Sequence, residues 1–139
     1  MSGAPTPPVP RLTVLVVDDE APLRRVLERA LTRFGYRVIG AASAESALEV
    51  LAIERPDAVL LDVHLPTMSG LALYVAAVAS WPELTGRVAV MTGDGETPDV
   101  LEWIARNECA LISKPFDLVQ IQSWLEMVGS WRGRRAEQA

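Results

Sequence analysis

Cysteine, lysine and long apolar runs are scarce in this 139-residue sequence. The single cysteine, Cys109, cannot form an internal disulfide, which agrees with a reducing compartment and favours a buried thiol over redox chemistry. No apolar run approaches the roughly 20 residues of a membrane-spanning helix. Residues 1–11 lack the apolar centre of a signal peptide. We therefore expect a cytoplasmic protein without a membrane partner.

Positive charge is also in short supply, because 18 acidic residues outnumber 13 basic ones and leave a formal net charge of −5. Nucleic acid is not an expected direct partner, since contacts to phosphates need a basic patch. Only the end of the chain, with Arg132, Arg134 and Arg135, is locally basic, and so short a run is usually just solvated. Hydrophobic residues make up 50% of the chain, enough for the core of one domain.

Three segments are distinguished along the chain. Residues 1–11 contain four prolines and are predicted to form an extended, disordered arm. Residues 12–129 form the predicted folded domain. Residues 130–139 are interpreted as an arginine-containing tail or the start of a linker.

Apolar runs alternate with segments of helical periodicity throughout the domain. Gly35 is predicted to end the first helix, and Ser43 to cap the second. The predicted strands cover 12–17, 36–41, 57–61, 87–91 and 110–113. The predicted helices lie between 23 and 34 and at 44–54, 70–81, 97–106 and 117 to about 131. Five strands alternating with five helices predict an α/β fold, a doubly wound parallel sheet with helices on both faces.

Polar side chains stand at the carboxyl ends of the predicted strands, where doubly wound sheets bind their ligands. Asp18 and Asp19 follow the first strand, Asp62 the third, Thr92 the fourth and Lys114 the fifth. Crowded carboxylates repel unless a cation neutralises them, and oxygen ligands suit Mg²⁺. Asp62 is then placed to attack a phosphoryl group as a nucleophile, and Thr92 and Lys114 to contact phosphoryl oxygens.

The composition of the basic residues supports this interpretation of Lys114. Twelve of the 13 basic residues are arginine, and Lys114 is the only lysine. A lysine retained next to a proline at a strand end indicates a specialised charge rather than a surface residue.

Four short motifs occur in order over about residues 12–129: "VLVVDDEAPLRRVL" (14–27), "DAVLLDVHLPTMSG" (57–70), "VAVMTG" (88–93) and "LISKPF" (111–116). In these motifs the chain resembles the response-regulator receiver domains of two-component systems, and among them the chemotaxis-type single-domain regulators. The resemblance implies a flavodoxin-like fold of five strand–helix units with strand order 2-1-3-4-5. Gly70, at the start of the third helix, also matches the family pattern.

The resemblance implies that Asp62 accepts a phosphoryl group from a sensor histidine kinase or a phosphotransfer protein, and that Thr92 and Lys114 engage that group. It implies a Mg²⁺ site of four groups: the carboxylates of Asp18, Asp19 and Asp62 and the backbone carbonyl of His64. The only catalysis it implies is the domain's own phosphorylation and dephosphorylation, so we do not expect a conventional enzyme.

Some positions depart from the family pattern or vary within it. Leu111 stands where the family often has an aromatic residue that couples phosphorylation to rearrangement, which predicts an altered switch. In the family, the positions of His64 and Asp94 tune the lifetime of the phosphoryl group, which implies the same role here, although an exposed histidine without a chemical role beyond its carbonyl is an equal alternative. Lys114–Pro115 is a candidate cis peptide bond.

The last helix has two interpretations. Its inward stripe is predicted to consist of Leu118, Ile121, Leu125 and Val128, with Trp124, Met127 and Trp131 on an adjacent face and Trp103 of the preceding helix on the same side. These tryptophans either anchor a partner surface, such as a homodimer through the last two helices, or cover the edge of the core.

Other classes of protein fit the sequence less well. No Asp-x-Asp motif follows the first strand, as a haloacid-dehalogenase phosphatase requires, and no glycine-rich nucleotide motif follows any strand. A phosphorylation-independent docking scaffold of the same fold is the remaining alternative, although no acidic or lysine residue of the site is missing. Only 25 residues follow Lys114, so no output domain is expected in this sequence. The chain is interpreted either as a single-domain regulator or as a receiver cut from a longer protein.

Overall fold

Five short apolar segments form a parallel sheet in the computed structural model, which describes residues 12–93 and 95–138 and the side chains up to Ser130. The strands are β1 (Thr13–Val17), β2 (Arg37–Ala41), β3 (Ala58–Asp62), β4 (Val88–Thr92) and β5 (Ala110–Ser113). Their order is β2-β1-β3-β4-β5, so the predicted fold class and strand order are confirmed. The predicted disordered arm at 1–11, the side chain of Trp131 and Asp94 lie outside the described residues.

Five helices connect and follow the strands: α1 (Ala21–Arg33), α2 (Ala44–Glu54), α3 (Gly70–Ser80), α4 (Pro98–Arg106) and α5 (Leu118–Gln138). The hydroxyl of Ser43 accepts a hydrogen bond from the backbone N–H of Ser46, which confirms the predicted cap of α2. Ser69 and Thr97 cap α3 and α4 in the same way. In the described ranges, no helix has both the length and the apolar character needed to cross a membrane.

The sheet has a packed core on each face because successive side chains of a strand point to opposite sides. Val14 and Val16 of β1 pack with α1 and α5, whereas Leu15 and Val17 pack with α2 and α3. Helix α4 lies on the second face, where Ile104 packs with Val63 and Val90. The central strand β3 is buried along its whole length, which explains its continuous apolar run.

Two element predictions differ from the structure. A 3₁₀ turn at Pro82–Leu84 joins α3 to β4 and was not predicted. Helix α5 continues to Gln138 instead of ending near Trp131. The physical reason is local, since Arg, Ala, Glu and Gln of the tail are good helix formers that outweigh the single Gly133, and no proline interrupts them.

Of the two interpretations of the tryptophans, the burial of Trp124 supports the one in which it covers the core, and the prediction that Trp103 lies on the same side is wrong. Trp124 is 7% exposed and belongs to the core between the sheet and α1 and α5. Trp103 lies on the opposite face of the sheet, with its ring edge-to-face against Tyr74 at a centroid distance of 5.5 Å. Helical periodicity alone could not distinguish the wide apolar stripe of α5 from a second, exposed stripe. Met127, on the adjacent face, is exposed.

Val26 lies at helical spacing in α1 but is not part of its buried face. Leu27 and Leu31 are fully buried, but Val26 is 55% exposed because it lies on the outer side of α1. Cys109 is half-buried, and burial raises the pKa of its thiol although the Tyr74 hydroxyl acts against that shift. A raised thiol pKa means less thiolate at neutral pH, in line with the predicted structural role.

Gly70 allows the start of α3 to approach the end of β3 closely. Its N–H donates to the Val63 carbonyl at 2.7 Å. A Cβ atom at position 70 would lie 2.1 Å from the Asp62 carbonyl oxygen and 2.9 Å from the Val63 Cα. Both atoms belong to the backbone, so neither can rotate away, and only glycine fits here.

We expect Gly70→Ala to lower the free energy of unfolding by at least about 2 kcal/mol, because the new methyl group forces the backbone of β3 and α3 apart. Urea unfolding followed by circular dichroism measures the change. Gly129→Ala in α5 is the matched control: its Cβ meets only Leu12 at 3.7 Å, and the change should stabilise the helix by about 0.5–1 kcal/mol. Equal effects of the two substitutions would contradict the close-contact explanation.

Candidate functional site

The carboxylates of Asp18 and Asp62 meet because their strands are neighbours in register. Val17 of β1 pairs with Leu61 of β3, so Asp18, directly after β1, lies at the same level as Asp62, the last residue of β3. Both carboxylates are buried. The topology therefore brings together two residues that are 44 positions apart in the sequence.

Lys114 bridges these two carboxylates. Its Nζ donates to Asp62 Oδ2 at 2.9 Å and to Asp18 Oδ2 at 3.0 Å. The other oxygen of each carboxylate accepts a backbone N–H, from His64 to Asp62 Oδ1 and from Glu20 to Asp18 Oδ1, both at 2.9 Å. All four carboxylate oxygens of Asp18 and Asp62 thus accept a hydrogen bond.

The charges of this cluster do not balance, since one ammonium group faces two carboxylates. Burial raises the pKa of Asp62, although the His64 N–H and Lys114 act in the opposite direction. Burial alone would lower the pKa of Lys114, but the hydrogen bonds and charges of Asp62 and Asp18 outweigh it and raise that pKa. Two carboxylates against one ammonium group leave this edge with an excess of acidic groups, which a further cation can neutralise.

A divalent cation fits the carboxylates at this edge. One oxygen each of Asp18, Glu20 and Asp62 lies within 4.8 Å of the others, and carboxylate oxygens are the ligands that Mg²⁺ prefers. Asp19 is exposed and is not a member of this group. Its role as a ligand, and that of the His64 carbonyl, stay predictions.

Thr92 and Lys114 are held next to each other by the pairing of β4 and β5. Thr92 is the buried last residue of β4, and its carbonyl accepts the Lys114 N–H at 2.7 Å. The Lys114–Pro115 peptide bond is cis, which confirms that prediction. The Lys114 Nζ also lies 5.9 Å from the centroid of the Phe116 ring. The structure thus brings Asp18, Asp62, Thr92 and Lys114 to one edge of the sheet, as predicted.

The loops that follow β3 and β4 are joined by a side-chain contact. His64 Nε2 lies 2.9 Å from Glu96 Oε1. The imidazole of His64 is exposed, as one of the two alternatives predicted, but it has a specific partner in Glu96. Leu111, at the position where receivers often have an aromatic residue, is partly exposed on β5.

Two acidic residues of this region, Glu20 and Glu96, were not among the predicted site residues. The run Asp18-Asp19-Glu20 was the available signal for Glu20, since any member of three consecutive acidic residues can turn towards the sheet edge. No sequence signal marks Glu96, because its partner His64 is 32 residues away and the pairing depends on the fold.

Known proteins are similar to this chain in sequence and in fold. Residues 14–126 match the family model described as "Response regulator receiver domain". Sporulation initiation phosphotransferase F of Bacillus subtilis is 32% identical over 109 residues, which are 78% of this chain and 86% of that protein. The probable transcriptional regulator ycf27 of Pyropia yezoensis is 35% identical over 115 residues, 83% of this chain but 46% of that protein. The chain thus spans about half the length of such regulators.

A solved structure agrees with the sequence comparisons. The signal receiver domain of an HD domain-containing protein from Pseudomonas fluorescens is 29% identical to this chain, with a TM-score of 0.74. The superposition covers 86% of this chain and 98% of that domain. The likeness therefore extends over nearly the whole described fold.

We expect Asp62→Asn to stabilise the metal-free protein at pH 7 by on the order of 1 kcal/mol, because it removes one of two buried carboxylates that share a single ammonium group. Since the pKa of Asp62 is raised, ionised Asp62 opposes folding above that pKa, and the penalty disappears as the pH falls through it. The gain should therefore shrink towards acid pH. Urea unfolding with EDTA at several pH values measures it, and a loss of stability at pH 7 would contradict this account.

Proposed function

The chain belongs to the response regulator receiver domain family, the phosphoacceptor modules of two-component systems, and we propose that Asp62 is the residue that accepts the phosphoryl group. The observation that carries the proposal is the position of Asp62, which is buried at the end of β3 with its carboxylate bound to Lys114 and to the His64 N–H. A carboxylate oriented by two donors is a positioned nucleophile.

In the proposed reaction, a carboxylate oxygen of Asp62 attacks phosphorus and forms an oxygen–phosphorus bond. The bond between phosphorus and the donor breaks, and its electron pair leaves with the donor. Lys114 can turn from Asp62 to a phosphoryl oxygen without losing all of its partners, because it is also bound to Asp18. Thr92, next to Lys114 at the strand ends, supplies a hydroxyl donor for another phosphoryl oxygen.

The proposed Mg²⁺ ligands are the carboxylates of Asp18, Glu20 and Asp62, with Asp19 and the His64 carbonyl added from the family pattern. Bound Mg²⁺ supplies positive charge against the phosphoryl oxygens and the crowded carboxylates. The protein's own contribution is to hold these carboxylates at the end of a rigid sheet. Their negative charge explains why an anionic donor needs a cation at this edge.

The partners and location follow from the family. We propose that the donor is a sensor histidine kinase or a phosphotransfer protein, in the cytoplasm, and that the chain catalyses only its own phosphorylation and dephosphorylation. A homodimer through α4 and α5 stays a prediction. Its supporting feature is no longer Trp124 but the exposed apolar side chains of Leu101, Leu111 and Met127.

We expect a small acyl phosphate with Mg²⁺ to add one phosphoryl group to the protein, detected by intact-mass spectrometry. Asp62→Asn and chelation of Mg²⁺ should each abolish the addition. Asp99→Asn, which changes an exposed aspartate in the first turn of α4, is the matched control and should retain it. A folded protein that gains no phosphoryl group would favour the phosphorylation-independent docking scaffold.

We expect Glu20→Gln to weaken Mg²⁺ binding by about tenfold, because loss of even an outer-sphere partner commonly has an effect of that size. Titration calorimetry with Mg²⁺ measures the affinity without any phosphoryl donor. Asp19→Asn tests the ligand predicted from the family in the same assay. If Asp19→Asn weakens binding and Glu20→Gln does not, Glu20 is an acidic neighbour of the site and not part of it.

A further inference from the structure

The contact between His64 and Glu96 connects the two loops on either side of the phosphorylation site. His64 lies in the loop between β3 and α3, and Glu96 in the loop between β4 and α4. The His64 side chain is 71% exposed, whereas the Glu96 side chain is only 6% exposed. The carboxylate of Glu96 is therefore turned into the protein, and the imidazole of His64 covers it from outside.

Each residue of this pair is also bound to a functional part of the fold. The backbone N–H of His64 donates to Asp62 Oδ1 at 2.9 Å. Glu96 Oε2 accepts the N–H of Thr97 at 3.2 Å, and the Thr97 hydroxyl caps α4 by accepting from Val100. A continuous series of contacts thus leads from the Asp62 carboxylate to the first turn of α4.

We propose that Glu96 is a positioning residue: through His64 it holds the loop between β4 and α4 in the arrangement of the unphosphorylated protein, and so opposes phosphorylation. The inference rests on the proposed role of Asp62. Thr92 must approach a phosphoryl group on Asp62, and the loop that carries Glu96 begins at the next residue. In this proposal Glu96 moves together with Thr92, so phosphorylation separates Glu96 from His64 and the free energy of that contact resists the movement.

The burial of Glu96 distinguishes its contact with His64 from the exposed ion pairs of the surface. Exposed pairs often contribute little because water screens both charges. Here one partner is almost completely buried, and removal of His64 leaves its carboxylate without the partner that covers it. The other exposed pair of this region, Arg106 with Glu102 on α4, lacks this feature because both side chains are more than half exposed.

The test compares initial rates of phosphorylation by a small acyl phosphate with Mg²⁺, followed by intact mass. We expect His64→Ala and Glu96→Ala each to react about two- to fivefold faster than the unchanged protein, the range set by loss of a single hydrogen bond. The double variant should be no faster than either single one, because all three lack the same contact. Glu96→Gln keeps an acceptor for the imidazole N–H and should stay close to the unchanged rate.

His64→Ala is the decisive variant. If Glu96 acted only by repelling the anionic donor, Glu96→Ala and Glu96→Gln would both be faster and His64→Ala would not. That result, or additive effects in the double variant, would overturn the proposal.

Glu102→Ala is the control for loss of an acidic side chain from α4 and should react at the unchanged rate. If the unchanged protein gains no phosphoryl group, the proposed role of Asp62 is wrong. If all variants gain the group at equal rates, the role of Asp62 stands and the proposal for Glu96 is wrong.

Discussion

The bond between the Lys114 ammonium group and the carboxylates of Asp18 and Asp62 is the interaction on which the functional edge of this protein depends. Without it, two buried negative charges would face each other across neighbouring strands. Lys114 compensates only one of these charges. The remaining negative charge gives the edge its affinity for a cation, and the same charge opposes folding. Binding capacity and a local loss of stability therefore have one physical origin.

The precision of the site comes from backbone contacts more than from the acidic side chains. The His64 N–H fixes one oxygen of Asp62, and Gly70 lets α3 begin directly against the Asp62 carbonyl. The end of β3 is thus held by its own loop and by the helix that follows. A rigid strand alone would place the Asp62 Cα atom, but these contacts also set the direction of the carboxylate.

The sequence predicted the fold and most of the site because the relevant signals are local. Strand ends, helix caps and polar residues after apolar runs place Asp18, Asp62, Thr92 and Lys114 without knowledge of any contact. The failures concern quantities that only packing determines. Only the structure decides that Trp124 covers the core and that Val26 is exposed, since the outer limit of an apolar stripe depends on the neighbouring helices. Glu96 could not be found, because its importance lies in a partner distant in sequence.

The choice of lysine at position 114 follows from what the site must do when its charge changes. An arginine would bind a carboxylate through two parallel hydrogen bonds, and its planar group would be committed to that geometry. The lysine ammonium is a compact charge on a flexible chain, bound to Asp18 and Asp62 by separate hydrogen bonds. It can keep the first partner while it exchanges the second for a phosphoryl oxygen. A chain that otherwise uses only arginine for its positive charges therefore has its single lysine where a cation has to change partners.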